Sequence, residues 1–161
     1  LHLALTRPER VRKLVLVDNR GFGPPDPNFV PGLVAAKTKE ELRTALLPAF
    51  HNPALLTPPA LDRMFAMRQM PGAQSAMEQV YQGLEIDFAN QSALHAQLPR
   101  IPHQTLVMWG RQDHVYAVGQ AGRAKDIPKS RVHIFENCGH VPQVEAQPAF
   151  NSVLLDFLAQ P

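Results

Sequence analysis

Asp113 and His140 are the residues best placed to do chemistry. Each closes an apolar run through a glycine-containing turn: Thr105-Leu106-Val107-Met108-Trp109 runs into Gly110-Arg111-Gln112-Asp113, and Arg131-Val132-His133-Ile134-Phe135 runs on to Cys138-Gly139-His140. A carboxylate that accepts the Nδ1 proton of an imidazole fixes its tautomer and orients the ring, and it stabilises the imidazolium formed when Nε2 takes a proton. The two would form a base and its orienting acid, still in need of a nucleophile. Taken singly, Asp113 reads as a cap on the following turn and His140 as a core histidine bonded to a carbonyl. Their joint appearance at successive strand ends points to catalysis.

Such a pair requires a sheet that brings both turns to one edge. Lys13-Leu14-Val15-Leu16-Val17-Asp18 carries an uninterrupted apolar run between charged ends, the pattern of a parallel strand covered on both faces. Between the later strands lies a short helix, near Ala117 to Lys125. After them, Phe150, Val153, Leu154, Phe157 and Leu158 form one apolar stripe of a closing helix, with Pro148 in its first turn. Parallel strands joined through helices make the chain α/β, and ligands of such sheets bind at the carboxyl edge.

Residues 26–98 break that rhythm. Helical patterns follow one another between prolines, beginning with a capping box at Thr38-Lys39-Glu40-Glu41 and punctuated at Pro53, Pro58-Pro59 and Pro71-Gly72. The expected organisation is a sheet domain of residues 1–25 and 99–161 with a helical lid, 26–98, inserted over its ligand edge. Within it, Met64, Phe65, Met67 and Met70 crowd a stretch with Arg63 and Arg68. This reads as an amphipathic helix, whose Met67 and Arg68 could also line an adaptable pocket and meet an acidic substrate. Val141, next to His140, is a further candidate for substrate contact, with Pro142-Gln143-Val144 beside it.

Composition narrows the partners. Sixteen basic against 14 acidic residues in 161 argue against electrostatic binding to nucleic acid or membrane. No apolar run approaches the ~18 residues of a membrane span. One cysteine cannot form an internal disulfide, which suits a reducing, cytoplasmic setting.

Other chemistry is less well supported. Asp18 also ends a strand and could serve as the acid, but hydrogen bonding within the Asp18-Asn19-Arg20-Gly21 turn explains it more simply. Cys138 is too close to His140 in one turn to converge with it on a substrate atom, and reads as a small buried packing residue. Asp113, His114, Cys138 and His140 could be drawn as a metal site, but no C-x-x-C or H-x-x-x-H pair supports one; neither a metal nor an organic cofactor is expected. His133 and Trp109 read as packed residues.

The chain resembles the α/β-hydrolase family, in particular its lidded esterase and carbon–carbon bond hydrolase branch. The resemblance rests on Pro8-Glu9-Arg10-Val11 leading into Lys13 to Asp18, on Thr105 to Asp113, on Cys138-Gly139-His140 with Glu145 after it, and on Asp156-Phe157-Leu158. It implies the last three parallel strands of a partial α/β-hydrolase fold, with Asp113 and His140 as the last two members of a Ser, Asp, His triad. The nucleophile is missing: none of Ser75, Ser92, Ser130 or Ser152 lies in a G-x-S-x-G elbow, which the resemblance puts roughly seven residues before Leu1. The expectation is a C-terminal fragment or processed product of a hydrolase acting on carboxylic esters or related carbonyl compounds, inactive alone. Its first strand would present an unpaired edge to a second copy or to the absent half. The alternatives are an upstream aspartate nucleophile acting on epoxides or alkyl halides, and a non-catalytic truncated binding module.

Overall fold

The computed structural model describes residues 1–89 and 91–160; the side chains of residues 84–92, Ser92 among them, lie outside that description. Three parallel strands form one sheet in the order β1 (Lys13–Val17), β2 (Gln104–Gly110), β3 (Ser130–Phe135). The central strand carries the core: from Thr105 to Gly110 every residue of β2 is buried. β1 is less covered than its apolar run predicts, since only Leu16 is fully buried, because the sheet continues on one side of the strand alone.

Helices cover both faces. One layer of core joins Leu16, Val107 and Trp109 to Ala4 of α1 (His2–Thr6) and to Leu98, Ile101 and Ile127. The other joins Leu106, Met108 and Phe135 to Phe150 and Phe157 of the closing helix. Helices α2 (Phe29–Ala35), α3 (Lys39–Leu46), α4 (Pro58–Arg68), α5 (Ala73–Ala89) and α6 (Gln91–His95) lie between β1 and β2, and α7 (Pro142–Glu145) and α8 (Gln147–Ala159) follow β3. No described helix is long and apolar enough to cross a membrane.

The short helix expected between β2 and β3, near Ala117 to Lys125, is present as a 3₁₀ helix over Val118–Asp126. Two glycines within it, Gly119 and Gly122, remove side chains that would favour longer α-helical turns. On α8, Phe150 and Phe157 are buried as the stripe requires and Val153 and Leu154 pack against them, but Leu158 sits at the stripe's margin, 41% exposed. The capping box is formed: Thr38 Oγ1 accepts from the Glu41 amide, and the Glu41 carboxylate accepts from the Thr38 and Lys37 amides. It starts α3, which buries Leu42 against Ala36 and Leu61 in a small core of the helical segment's own.

The helical segment is tied to the sheet at one carboxylate. Glu145 Oε1 accepts from the Gly139 amide at 2.7 Å, while Oε2 accepts from the amides of His51 and Asn52 at 2.8 and 2.9 Å. Beside it, the His140 amide donates to the Ala49 carbonyl at 2.9 Å. A charged acceptor with three backbone donors is stronger than neutral pairing, so this knot sets where the segment meets the turn after β3.

The turns after β2 and β3 touch through backbone. A methyl group on Gly110 would lie 1.8 Å from the Gly139 carbonyl oxygen, an approach only glycine permits. Gly110→Ala should therefore cost about 3 kcal/mol or more in urea unfolding, while Gly119→Ala, whose added carbon meets nothing within 4 Å, should change stability by less than about 0.5 kcal/mol. Glu145→Ala should lose about 1–3 kcal/mol, and hydrogen exchange should show the amides of Gly139, His51 and Asn52 losing protection together.

Candidate active site

The parallel register carries β2 and β3 to the same edge, where their exits run side by side. Beyond the strands the pairing continues in the loops: Arg111 donates its amide to the Phe135 carbonyl at 2.9 Å, and Gln112 to the Cys138 carbonyl at 2.8 Å. The Gln112 side chain returns the bond, with Oε1 accepting from the Cys138 amide at 2.9 Å. Gln112 is thus a clasp between the two turns. Nothing in the sequence marks it, since a glutamine in a turn has no preferred partner.

This clasp brings Asp113 and His140 together. His140 Nδ1 and Asp113 Oδ2 are 3.0 Å apart, with Asp113 only 5% exposed and the imidazole side chain 23% exposed. The other carboxylate oxygen, Oδ1, accepts from the amides of Val115 and Tyr116 at 2.7 and 2.9 Å. Asp113 therefore caps its own turn with one oxygen and faces the imidazole with the other. The turn is held in place in turn by Trp109, whose Nε1 donates to the Tyr116 carbonyl at 2.9 Å and whose ring stacks on Phe22.

Aromatic rings flank the imidazole. Tyr116 lies 5.5 Å from it between ring centroids, and Phe29, from α2, meets it edge-on at 6.3 Å. Burial pushes the Tyr116 phenol up to about 12, so this neighbour is neutral at ordinary pH.

Asp18 lies at this site rather than in a turn of its own. Its Oδ1 accepts from the Gly110 amide at 2.9 Å, tying the end of β1 to the exit of β2, and its backbone takes a left-handed φ of 40°. Burial, first, and then the neighbouring Asp113 charge push its carboxyl up to about 8, against the opposing effect of the Gly110 bond. Its strand-end position was the only sign of this in the sequence.

The remaining candidates separate from the pair. Cys138 is fully buried and its thiol, chiefly through burial, is pushed up to about 12, which suits packing and not attack. His114 is exposed, so the set with Asp113, Cys138 and His140 is not gathered; among the described residues the close cluster is Asp18, Asp113 and His140. His133 packs its ring 4.5 Å from that of Phe135, and Trp109 is fully buried. Val141 follows His140 and is half-buried at the start of α7. Met67 is 66% exposed on α4. Arg68 donates to the Ala36 carbonyl at 2.7 Å and lines a concavity of about 650 Å³ with Lys37, Gln74 and Tyr81, whose lining includes neither Asp113 nor His140.

Comparison with known proteins agrees with the fold. A family model described as alpha/beta hydrolase fold matches residues 1–147. The chain is 29% identical over 159 residues to the dihydrolipoyllysine-residue acetyltransferase component of the acetoin cleaving system of Pseudomonas putida, covering 98% of the chain and 42% of that protein. It is 32% identical over 168 residues to a 2-hydroxy-6-oxononadienedioate/2-hydroxy-6-oxononatrienedioate hydrolase of Pseudomonas putida, covering 96% of the chain and 57% of that protein. Among solved structures, the meta-cleavage product hydrolase of Pseudomonas fluorescens superposes with a TM-score of 0.83 over 98% of this chain and 59% of its own, a likeness of fold at 22% identity. The chain thus spans about half the length of the curated relatives it matches. With three parallel strands, flanking helices and a family match over nearly its whole length, the chain belongs to the alpha/beta hydrolase fold family.

Proposed function

We propose that the chain is the acid-and-base portion of a serine-dependent hydrolase that acts on carboxylic esters or related carbonyl compounds, with Asp113 and His140 as its catalytic residues. The observation that carries this reading is the 3.0 Å contact between His140 Nδ1 and the buried Asp113, which leaves Nε2 to exchange a proton with a reacting group. The attacking hydroxyl comes from polypeptide outside the 161 residues. Ser130 is held by the Ala124 carbonyl at 2.6 Å, and Ser75 and Ser152 are exposed on helices. The relatives' share of length supports the same view, as do their names, since hydrolysis and acetyl transfer both work at a carbonyl carbon.

His140 Nε2 takes the serine proton as the oxygen attacks the carbonyl carbon, and Asp113 stabilises the imidazolium. The proton then passes to the leaving group, and water, activated by the same imidazole, releases the acid and restores the serine. Residues 26–98 act as the lid. Phe29 from this segment already walls the imidazole, and the Glu145 knot fixes the segment's inner end beside it. Met67 and Arg68 would reach substrate from α4 only across the lid, with Val141 closer in.

The chain alone should give only background turnover of a chromogenic short-chain ester. Joined by an N-terminal half bearing the serine elbow it should turn the ester over, and His140→Ala should lower that rate on the order of 10³-fold. Turnover by the purified chain itself, or a rate indifferent to His140→Ala, would overturn the reading. The outer edge of β1 carries a parallel distinct expectation: light scattering on the isolated chain should find species heavier than the 17.9 kDa monomer, and a monodisperse monomer would count against a β1 edge that pairs.

A further inference from the structure

Asp18 carries a buried oxygen with no hydrogen-bond partner. Its Oδ1 is used by the Gly110 amide, but Oδ2 is shielded from solvent and unpaired, in a residue only 3% exposed. An isolated buried carboxylate oxygen is costly, and in practice such a group is neutralised or finds a donor. The groups facing Asp18 are the Asp113 carboxylate from the β2 exit, the His140 ring from the β3 exit, Glu145 from α7 and the neutral Cys138 thiol. A carboxylate oxygen each of Asp18 and Asp113 and a ring nitrogen of His140 lie within 4.8 Å of one another, and His140 Nδ1 faces Asp113 Oδ2 at 3.0 Å.

We propose that Asp18 keeps a proton on Oδ2 and donates it to the Asp113 carboxylate, which makes Asp18 a positioning residue for the Asp113–His140 pair. The proton satisfies the orphan oxygen and avoids two adjacent buried charges, for the same reason that paired carboxylates share one proton elsewhere. Asp113 then has all its neighbours as donors: two amides on Oδ1, and the imidazole and the Asp18 hydroxyl about Oδ2. A carboxylate so held cannot swing away from the ring. The carboxyl pair stands on geometry alone; its value for catalysis rests on the function proposed above.

The direction of pH dependence follows. Asp18 holds its proton up to about 8 in the folded chain but ionises in the ordinary carboxylate range when unfolded. Its contribution to stability is therefore complete below that ordinary range and is lost as pH rises through about 8. Across the window each pH unit shifts the folded-to-unfolded ratio by up to about tenfold. Asp18→Asn tests this cleanly, because asparagine tolerates the left-handed backbone and its amide can donate to Asp113 while its carbonyl accepts from Gly110, with no charge at any pH.

The measurement is urea unfolding of the chain at pH 5 to 9, wild type against Asp18→Asn, together with carboxyl-carbon NMR of the wild type, with the Asp18 resonance assigned by its loss in the variant. Stability that falls with pH in the wild type and is flat in the variant, with the Asp18 carbon at its protonated position through neutrality, supports the proposal. Parallel pH profiles, or an Asp18 carbon that titrates in the ordinary carboxylate range, overturn it. Should Asp18→Asn not fold, the wild-type carboxyl titration, assigned by backbone connectivity, decides alone. None of these readings involves turnover, so a failure of the hydrolase proposal leaves them intact and distinguishable.

Discussion

The site depends on one close backbone approach, between Gly110 and Gly139. Neighbouring strands of a sheet run about 4.7–4.9 Å apart. Here the absence of a Cβ at Gly110 lets the second turn lie against the first, close enough for Gln112 to bond Cys138 with both backbone and side chain. Everything that places the Asp113 and His140 side chains, from the Trp109 indole bond to the Glu145 knot, acts on turns already locked by that contact.

Burial gives the edge its electrostatic character. Asp18 and Asp113 are two carboxyl groups within a nearly dry corner, next to a thiol and a phenol that are both held neutral. The neutral groups add no charge, so the local field is set by the carboxyl groups of Asp18, Asp113 and Glu145 and by the protons held among them. Exposed pairs do different work. Arg111 and Glu136 meet at 2.6 Å, but both are about half exposed and solvent screens them, so they steady a turn and contribute little more.

The sheet, the paired strand ends, the capping box and the closing helix were legible because each rests on a local pattern: an apolar run, a glycine turn, a Thr-x-x-Glu spacing, a stripe at helical period. The meeting of Asp113 and His140 was legible because parallel strands carry their exits to one edge. The partners of Asp18, Gln112 and Glu145 were not, since each bonds backbone amides distant in sequence, and an amide carries no residue identity to read. The margin position of Leu158 depends on how tightly neighbouring layers close, a tertiary matter that composition alone does not reveal.

The carboxylate of Glu145 grips one amide of the histidine turn and two of the helical segment, while the histidine's own amide grips Ala49. The segment from Ala49 to Asn52 therefore belongs mechanically to the sheet edge, and any swing of the outer helices must bend beyond it. Forces also travel both ways through such a joint: whatever displaces Ala49 to Asn52 displaces the imidazole, and whatever settles the imidazole settles those residues by the same free energy.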